Sequence, residues 1–565
     1  MGLNAALGIA SRALEVFSAG IQVAGQNVAN ANTPGYIREE LELVPALPYR
    51  QGSLVFGTGV FAAGIVQQID QYLESRIHAA NSDYTAAHAR ETIYLQLEEQ
   101  IRELGDGDLS TSLDNFLATI NEAVNQPESA SLRQLVLQQG TQLAGDISSL
   151  RLRVDELRTA QTVKLDELVG EANDLIRQIA DLNPKISKLE LGGLLGSDAG
   201  ALRTQRYNAL TRLSEIVPIR FREREDGGVD VFSGSDYLIL TGTYQQLETF
   251  RVDDRNVLIQ NISLSKTGSV LGAASGGEIK GILDGRDLIL GGFVDDLDTF
   301  TQNLIREFNL IHASGEGLEG FTSLDAAEYI DDPTAVLNAA GLALTPTHGG
   351  FQLKVINRLT GTTVTTDVPI DLDGIGADST LNSLQAALDA IANLNAGIST
   401  NGQLTLDADP NFEFRFANDT SGILAALGLN TFFTGADSSD IGVNAVVQGN
   451  PALFAAGLGG GPSDGRNVLQ MAEFLDNPVA ALGDVSLDDY YNTLVSQVGQ
   501  KSAAETTLSE GFKSFQESLK NQREQFSGVS LDEEAVKILE FQRSFQAAAR
   551  IVSTVDELFR TLIEM

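Results

Sequence analysis

The two ends of this chain constrain its fold most. Near the start, Leu3, Leu7, Ala10, Leu14, Phe17, Ile21, Ala24 and Val28 stand alternately four and three residues apart. That spacing is the seven-residue repeat of a helix that packs along another helix. At about 1.5 Å per residue the helix is about 39 Å long. It is expected to stop at NVANANTPGY, residues 27–36. There Thr33-Pro34-Gly35-Tyr36 puts Pro second and Gly third in a turn, and Asn30 and Asn32 tolerate left-handed backbone. The far end mirrors this pattern in Ile538, Phe541, Phe545, Ala548, Val552, Val555, Phe559 and Leu562, again alternately three and four apart. Ser530 followed by Glu533 has capping-box spacing, and Asp532 and Glu534 suit the same helix start. Chain ends ordinarily fray, so two such stripes require a partner, either each other or helices of other subunits.

Between the ends the pattern changes more than once. Residues 70–127 read as helical, with Leu73, Ile77, Ala80, Tyr84 and Ala87 on one face. A long helix over 130–190 carries Leu165, Leu168, Ala172, Leu175, Ile179, Leu182, Ile186 and Leu189 at heptad spacing, and Pro184 is expected to kink or end it. After Gly192-Gly193 and a short helical piece, residues 216–262 turn to short β-type runs separated by Asp-Gly-Gly and Gly-Ser, the pattern of antiparallel sheet. Residues 285–313 return to helix. Residues 345–450 alternate strands such as GFQLKVIN and FEFRFAN with one helix near 380–394, and 466–526 is helical, with Phe512, Phe515 and Leu519 expected on its inner side. The fold class that follows is α+β multidomain: long terminal α-helices of coiled-coil type and a helical rod domain, bracketing β-rich inserted domains. The expected segments are an N-terminal axial helix (1–45), the N-side of a helical rod domain (46–200), a β-rich segment (201–284), a helical segment (285–325), a β-rich outer domain (326–465), the C-side of the rod domain (466–526) and a C-terminal axial helix (527–565).

Composition narrows the function classes. The 565 residues exceed what one core usually organises, so several domains are expected. With 38 Lys+Arg against 76 Asp+Glu the formal charge is -38, which disfavours nucleic acid and anionic lipid as partners. Cys and Trp are absent, which leaves no disulfide framework, thiolate nucleophile or Cys-ligated zinc. A cysteine-free extracellular chain suits export through a channel that passes unfolded polypeptide. No basic residue precedes the first apolar stretch, which Arg12 and Glu15 interrupt, so no cleaved signal peptide is expected. Nor does any run of about 18 apolar residues suggest a membrane-spanning helix.

Sites for chemistry are weakly supported. GEGLEG (315–320) fits the dinucleotide glycine pattern but follows a helical stretch instead of a strand, which favours a polar loop. GPSDG (461–465) fits a serine-nucleophile pattern, but Ser463 lies behind a Gly-rich run where a strand-to-helix elbow is required. His78, His88, His312 and His348 are scattered too widely for a recognised zinc motif and are expected at the surface or partly packed. The stretch from Asp407 through Asp409 and Asn411 begins like a calcium loop but has Phe412 sixth and Asn418 twelfth. No catalytic residue, cofactor or metal is expected.

NVANANTPGY behind an N-terminal heptad helix resembles the opening motif of flagellar axial proteins, the rod, hook and hook-associated families. GTGVFAAGIVQQIDQYLESRI (57–77) resembles their continuation, and VKILEFQRSFQAAARIVSTVDELFRTLI (536–563) is similar to their shared C-terminal helix. NDLIRQIADLNPKI (173–186), RTQRYNALTRLSEIV (203–217), GEIKGILDGRD (277–287), LAALGLNTFFTG (424–435) and SGVSLDEEA (527–535) resemble the hook-associated protein 1 family in particular. Tyr207 departs from that pattern, standing where an Asp follows Arg. The resemblance implies a structural protein that polymerises as a ring at the distal end of the hook and joins it to the filament. The two terminal stripes would form the assembly interface, and Asn27, Asn30, Asn32, Thr33, Pro34, Gly35 and Tyr36 the family's motif turn. The implied partners are further copies of the chain, the hook protein, the second hook-filament junction protein and a cytoplasmic export chaperone on the C-terminal helix. Export is implied through the flagellar type III system. A hook or rod protein of the same axial family is the nearest alternative, followed by an adhesin with coiled-coil ends and a hydrolase using Ser463.

Overall fold

The computed structural model describes residues 2–101, 108–191, 197–270 and 276–564; Gly192 and Gly193 lie outside them. The helices are α1 (Gly2–Asn30), α2 (Gln71–Ile101), α3 (Leu109–Asn125), α4 (Ala130–Leu191), α5 (Gly200–Ile216), α6 (Gly277–Asp284), α7 (Gly291–Ala313), α8 (Leu381–Asp389), α9 (Ile423–Ala426), α10 (Ala445–Gly449), α11 (Arg466–Glu473), α12 (Leu487–Ser527) and α13 (Leu531–Glu564). The chain forms two compact units. One comprises Met1–Tyr94, Arg158–Ile289 and Lys501–Met565, the other Leu95–Leu157 and Leu290–Gln500.

In the first unit, strands at Arg220–Glu223, Val229–Ser233, Asp236–Leu240 and Thr243–Tyr244 form an antiparallel sheet in chain order, followed by a ribbon of Leu247–Asp254 and Val257–Leu264. Its core joins Leu165, Leu168, Ala172, Ile176 and Ile179 of α4 to Leu210 and Leu213 of α5 and to Val229 and Val231 of the sheet. Of the heptad stripe of α4, Leu165, Leu168, Ala172, Ile179, Leu182 and Ile186 are buried, Leu175 is half-buried and Leu189 is exposed. Pro184 does not end the helix, which runs on to Leu191. Pro184 faces solvent between buried Leu182 and Ile186. Asn183 beside it is clamped to Val229, donating to its carbonyl at 2.9 Å and accepting from its amide at 3.1 Å. Packing on both sides of the proline offsets the one backbone hydrogen bond it removes.

The helix expected from residue 285 begins earlier, as α6, and continues through a π-helical turn at Gly285–Leu290 into α7. On α12, Leu519 is buried among Leu73, Ile77 and Ala80 of α2. Phe512 is half-buried, and Phe515 contradicts its expected inward position, being 48% exposed. The inward positions nearest it are polar, Ser509 and Gln516.

The second unit carries two three-stranded antiparallel sheets. Gly349–Asn357 lies between Thr363–Ile370 and Phe412–Ala417, and Leu404–Ala408 lies between Ser323–Asp325 and Leu394–Ile398. Period-two burial along Gly349–Asn357 points Phe351, Leu353 and Val355 into one core with Phe414, Phe416 and the inner face of α8. A second aromatic cluster gathers Phe116, Phe308, Phe432 and Phe433, with ring centroids 4.8–5.9 Å apart.

Candidate assembly interface

Helix α1 is alanine-rich and closes with turn bonds from the Ala31 amide to Val28 and from the Thr33 amide to Asn30. The next four residues form a turn closed by the Tyr36 amide on the Thr33 carbonyl at 3.1 Å, with Gly35 at φ +69°. Left-handed backbone therefore falls on Gly35, not on Asn30 or Asn32. At the other end, the Glu533 amide donates to Ser530 Oγ at 3.4 Å at the start of α13.

The two terminal helices pack on each other within one chain. The Phe17 and Phe541 rings lie 6.4 Å apart, and a Cβ at Gly20 would sit 2.8 Å from the Phe541 ring, so glycine permits this close approach. Of the stripe expected on α1, Ala10 and Ala24 are buried, Leu3, Leu14, Phe17 and Ile21 half-buried, and Leu7 and Val28 exposed. On α13, Ala548 and Val555 are buried, Ile538, Phe541, Val552 and Phe559 half-buried, and Phe545 and Leu562 exposed. A further buried set on α1, Val16, Gly20, Val23 and Asn27, runs one position behind the expected stripe. Gly20 and Asn27 of this set meet Phe541 and Glu534 of α13, and α1 also lies against the antiparallel pair Glu39–Pro45 and Val60–Gln67. A polar Asn inside an apolar stripe was the one sequence signal for this second face.

Asn27 is the centre of a polar clasp between residues some five hundred positions apart. Its Nδ2 donates to the Glu39 carbonyl at 2.9 Å and to Glu534 Oε2 at 3.1 Å. Its Oδ1 accepts from the Glu39 amide and from the Tyr36 hydroxyl, both at 3.0 Å. Glu534, fully buried in the first turn of α13, also accepts from Arg38 Nε at 2.9 Å, while Arg38 reaches exposed Glu533 at 3.0 Å. Lys537 pairs with Glu40 at 3.0 Å, and the Arg38 amide donates to the Ser527 carbonyl at 3.0 Å. Burial, then the Glu39 and Glu534 carboxylates, push the Tyr36 phenol above its usual range. Burial and the nearby Asp198 also raise the Glu39 carboxyl. Pro34 and Gly35 rest on Asn208, whose Nδ2 donates to the Pro34 carbonyl at 3.4 Å. Asn30 bonds only locally, to the Gln26 carbonyl and the Thr33 hydroxyl, and Asn32 is exposed. This arrangement holds one chain end against the other in fixed register; it positions no nucleophile.

The remaining sequence signals resolve into packing. In GEGLEG a Cβ at Gly317 would stand 2.6 Å from the Ala452 carbonyl oxygen and one at Gly320 2.7 Å from that of Phe414, so these glycines admit neighbouring backbone. This loop is thus packed, and Glu316 within it pairs with Lys354 at 2.5 Å. Ser463 is exposed, and the adjacent Asp464 is committed to the Leu458 and Gly460 amides and to Arg466, each at 2.8 Å. His78 and His312 are fully buried, contrary to expectation, and burial pushes each down to about 4. His348 comes together with Asp371 and Asp373, their ligand atoms within 4.8 Å of one another at the surface, but its Nδ1 already accepts from the Leu372 amide at 3.2 Å. Arg206, beside the departing Tyr207, contacts Glu223 at 3.5 Å, and the Tyr207 hydroxyl donates to the same carboxylate at 3.4 Å. No helix among the described residues is long and apolar enough to cross a membrane.

Two family descriptions match the chain: "Flagellar hook-associated protein FlgK helical domain" over residues 94–325 and "Flagellar basal body rod FlgEFG protein C-terminal" over residues 521–565. Flagellar hook-associated protein 1 of Escherichia coli (strain K12) is 23% identical over 561 residues, covering 98% of both chains. The protein of that name from Bacillus subtilis (strain 168) is 24% identical over 571 residues, covering all of this chain and 97% of the relative. Over nearly its whole length the chain is thus similar to proteins named flagellar hook-associated protein 1. Its fold is that of the flagellar hook junction protein FlgK from Burkholderia pseudomallei, at a TM-score of 0.50 and 15% identity, over 81% of this chain and 100% of that one. The rod-protein match falls on the end of α12 and on α13, the helix that the clasp ties to α1.

Proposed function

We propose that the chain is a structural, non-enzymatic junction protein that polymerises as a ring at the distal end of the hook and connects hook to filament. Its terminal segments, 1–45 and 527–565, form the axial part, and the heptad stripes of α1 and α13 supply coiled-coil packing between copies. The observation that carries this reading is the incomplete burial of the terminal pair. With α1 and α13 already packed on each other, Leu539, Phe545, Ile551, Leu558 and Leu562 remain 37–63% exposed on α13. One helix pair cannot cover apolar residues all round, so further helices must. The partners are other copies of the chain, the hook protein and the second junction protein. Before assembly the C-terminal helix is held by an export chaperone, and the flagellar type III system exports the chain without a cleaved signal peptide.

The test is Phe545→Asp. In the isolated chain a carboxylate at this 37% exposed position reaches water. Covered by a neighbouring helix it becomes an uncompensated buried charge, worth about 3–5 kcal/mol in every subunit. The expected phenotype is hooks without filaments and flagellin shed into the medium, while the purified variant keeps its melting temperature. Normal filaments, or a melted monomer, would overturn the reading.

A further inference from the structure

Five arginines are buried among the described residues, and four of them meet a carboxylate: Arg151 meets Asp298 at 2.8 Å, Arg158 meets Asp254, Arg206 meets Glu223 at 3.5 Å and Arg286 meets Asp287 at 2.7 Å. The fifth is Arg133, in the first turn of α4 and 2% exposed, which has no carboxylate of the described residues within ion-pairing distance. Backbone alone holds its guanidinium. Nε donates to the Pro127 carbonyl at 2.8 Å and Nη1 to the Phe454 carbonyl, with the Phe454 ring centre 5.9 Å away, and Nη2 has no hydrogen-bond partner among the described residues. Burial pushes this guanidinium down to about 10, and the exposed Glu128 only partly opposes the shift. A full charge withdrawn from water and faced only by dipoles is costly until an opposite charge sits beside it.

The same guanidinium lines a cavity of about 20 Å³ between the two glycine-rich segments whose patterns suggested chemistry. GEGLEG and the run before Asp464 pair there, the Glu316 amide donating to the Gly457 carbonyl at 2.7 Å and the Gly457 amide to the Glu316 carbonyl at 3.1 Å. Gly317, Gly459 and Gly461 leave much of the wall without side chains, and Arg415 is its second guanidinium. The other charges at the wall are already matched. Glu316 pairs with Lys354 at 2.5 Å, Asp464 with Arg466 at 2.8 Å and Arg415 with Glu413 at 2.7 Å. Arg133 is the charge that the described residues leave without a counter-ion.

We infer that this cavity binds one monatomic anion, chloride or bromide, at Arg133 Nη2. Size decides the class: one water needs roughly 10–15 Å³ of such space, so 20 Å³ admits a single small guest and excludes sulfate, phosphate or a carboxylate. Charge decides between anion and water, because a water accepts the hydrogen bond but leaves the guanidinium uncompensated. The overall charge of -38 does not bar entry, since at physiological salt its field is screened within about 8 Å. Once bound, the anion ties the start of α4 to both loops, so the stability of the second unit depends on which anion the medium supplies.

This inference does not rest on the junction reading. Its test melts the full-length protein by calorimetry in sodium chloride, sodium bromide and sodium gluconate at one ionic strength, gluconate being too large for the cavity. General salt effects on the surface are shared by wild type and Arg133→Gln, so the difference is read between the two. On going from gluconate to chloride or bromide the second unit of the wild type should gain about 3 °C over the variant, the shift given by a roughly ten-fold excess of ligand over its dissociation constant. Crystals of the wild type grown in bromide give a reading that needs no variant, an anomalous scattering peak beside Arg133. The same salt response in wild type and a folded Arg133→Gln, or a cavity that holds water and no bromide, overturns the site.

Discussion

Replacing Glu534 by Ala tests whether the clasp holds the chain ends. The carboxylate is 1% exposed and accepts from Asn27 and Arg38. Orphaning a buried charge typically costs about 3–5 kcal/mol, but Arg38 keeps exposed Glu533, and Asn27 keeps the Glu39 amide and carbonyl. The loss should therefore be near that of one charge-assisted hydrogen bond, about 2 kcal/mol. It falls on the separation of α1 from α13, because the bonds removed join only those ends. A change of about 2 kcal/mol raises the population of the separated state by roughly thirty-fold. Amide hydrogen exchange in α1 and α13 of the purified protein should accelerate by that factor, while amides around Leu165 and Ile179 keep their rates. Glu534→Gln, which retains a neutral acceptor, should show a smaller effect. Exchange in α1 within three-fold of wild type would refute the clasp; equal acceleration in the α4 core would show that it acts on the whole unit instead.

Two other outcomes follow from buried and exposed side chains. His312 is held neutral, donating from Nδ1 to the Asn430 carbonyl at 2.8 Å and accepting at Nε2 from the Ala455 amide at 3.1 Å, and burial with nearby Arg133 depresses it to about 4. Its folded pKa lies below its unfolded value near 6.5, so its contribution is complete above about pH 6.5 and is lost as pH falls toward 4; wild type should lose about 3 kcal/mol more over that range than His312→Gln, and equal pH slopes in denaturant titrations would refute this. Ser463→Ala should leave swimming and filament attachment unchanged, since Asp464 beside it is committed to Arg466 and the loop amides; loss of motility in a stably folded variant would count against a purely structural role.

The helices were legible because their signal is local: the repeats of α1, α4 and α13 depend only on residues three and four apart. The buried face was less so. On α1 the stripe fell one position from Val16, Gly20, Val23 and Asn27, since the strands beneath the helix leave no mark on its periodicity. The clasp was not legible, because Asn27 marks a polar point on α1 but its partner Glu534 lies 507 positions away and meets it only after the chain has folded. Pro184, expected to kink or end α4, does not end it, because buried neighbours and not local propensity decide where the helix stops.

The inward placement expected for Phe515 failed differently. Reading apolar residues as inner residues assumes that the core lies within the chain, and over most of this protein it does: Leu165, Phe308 and Phe414 are fully buried. On α12 and the outer side of α13 the rule inverts, with Ser509 and Gln516 inside and Phe515, Ile551 and Leu558 outside. A subunit that shares its core with its neighbours must present such a face while it is alone. An apolar-inward reading also fails at Leu7 and Val28 of α1 and at Leu189 of α4, but on α12 and α13 the exposed apolar residues recur along both helices, where contacts between copies would form.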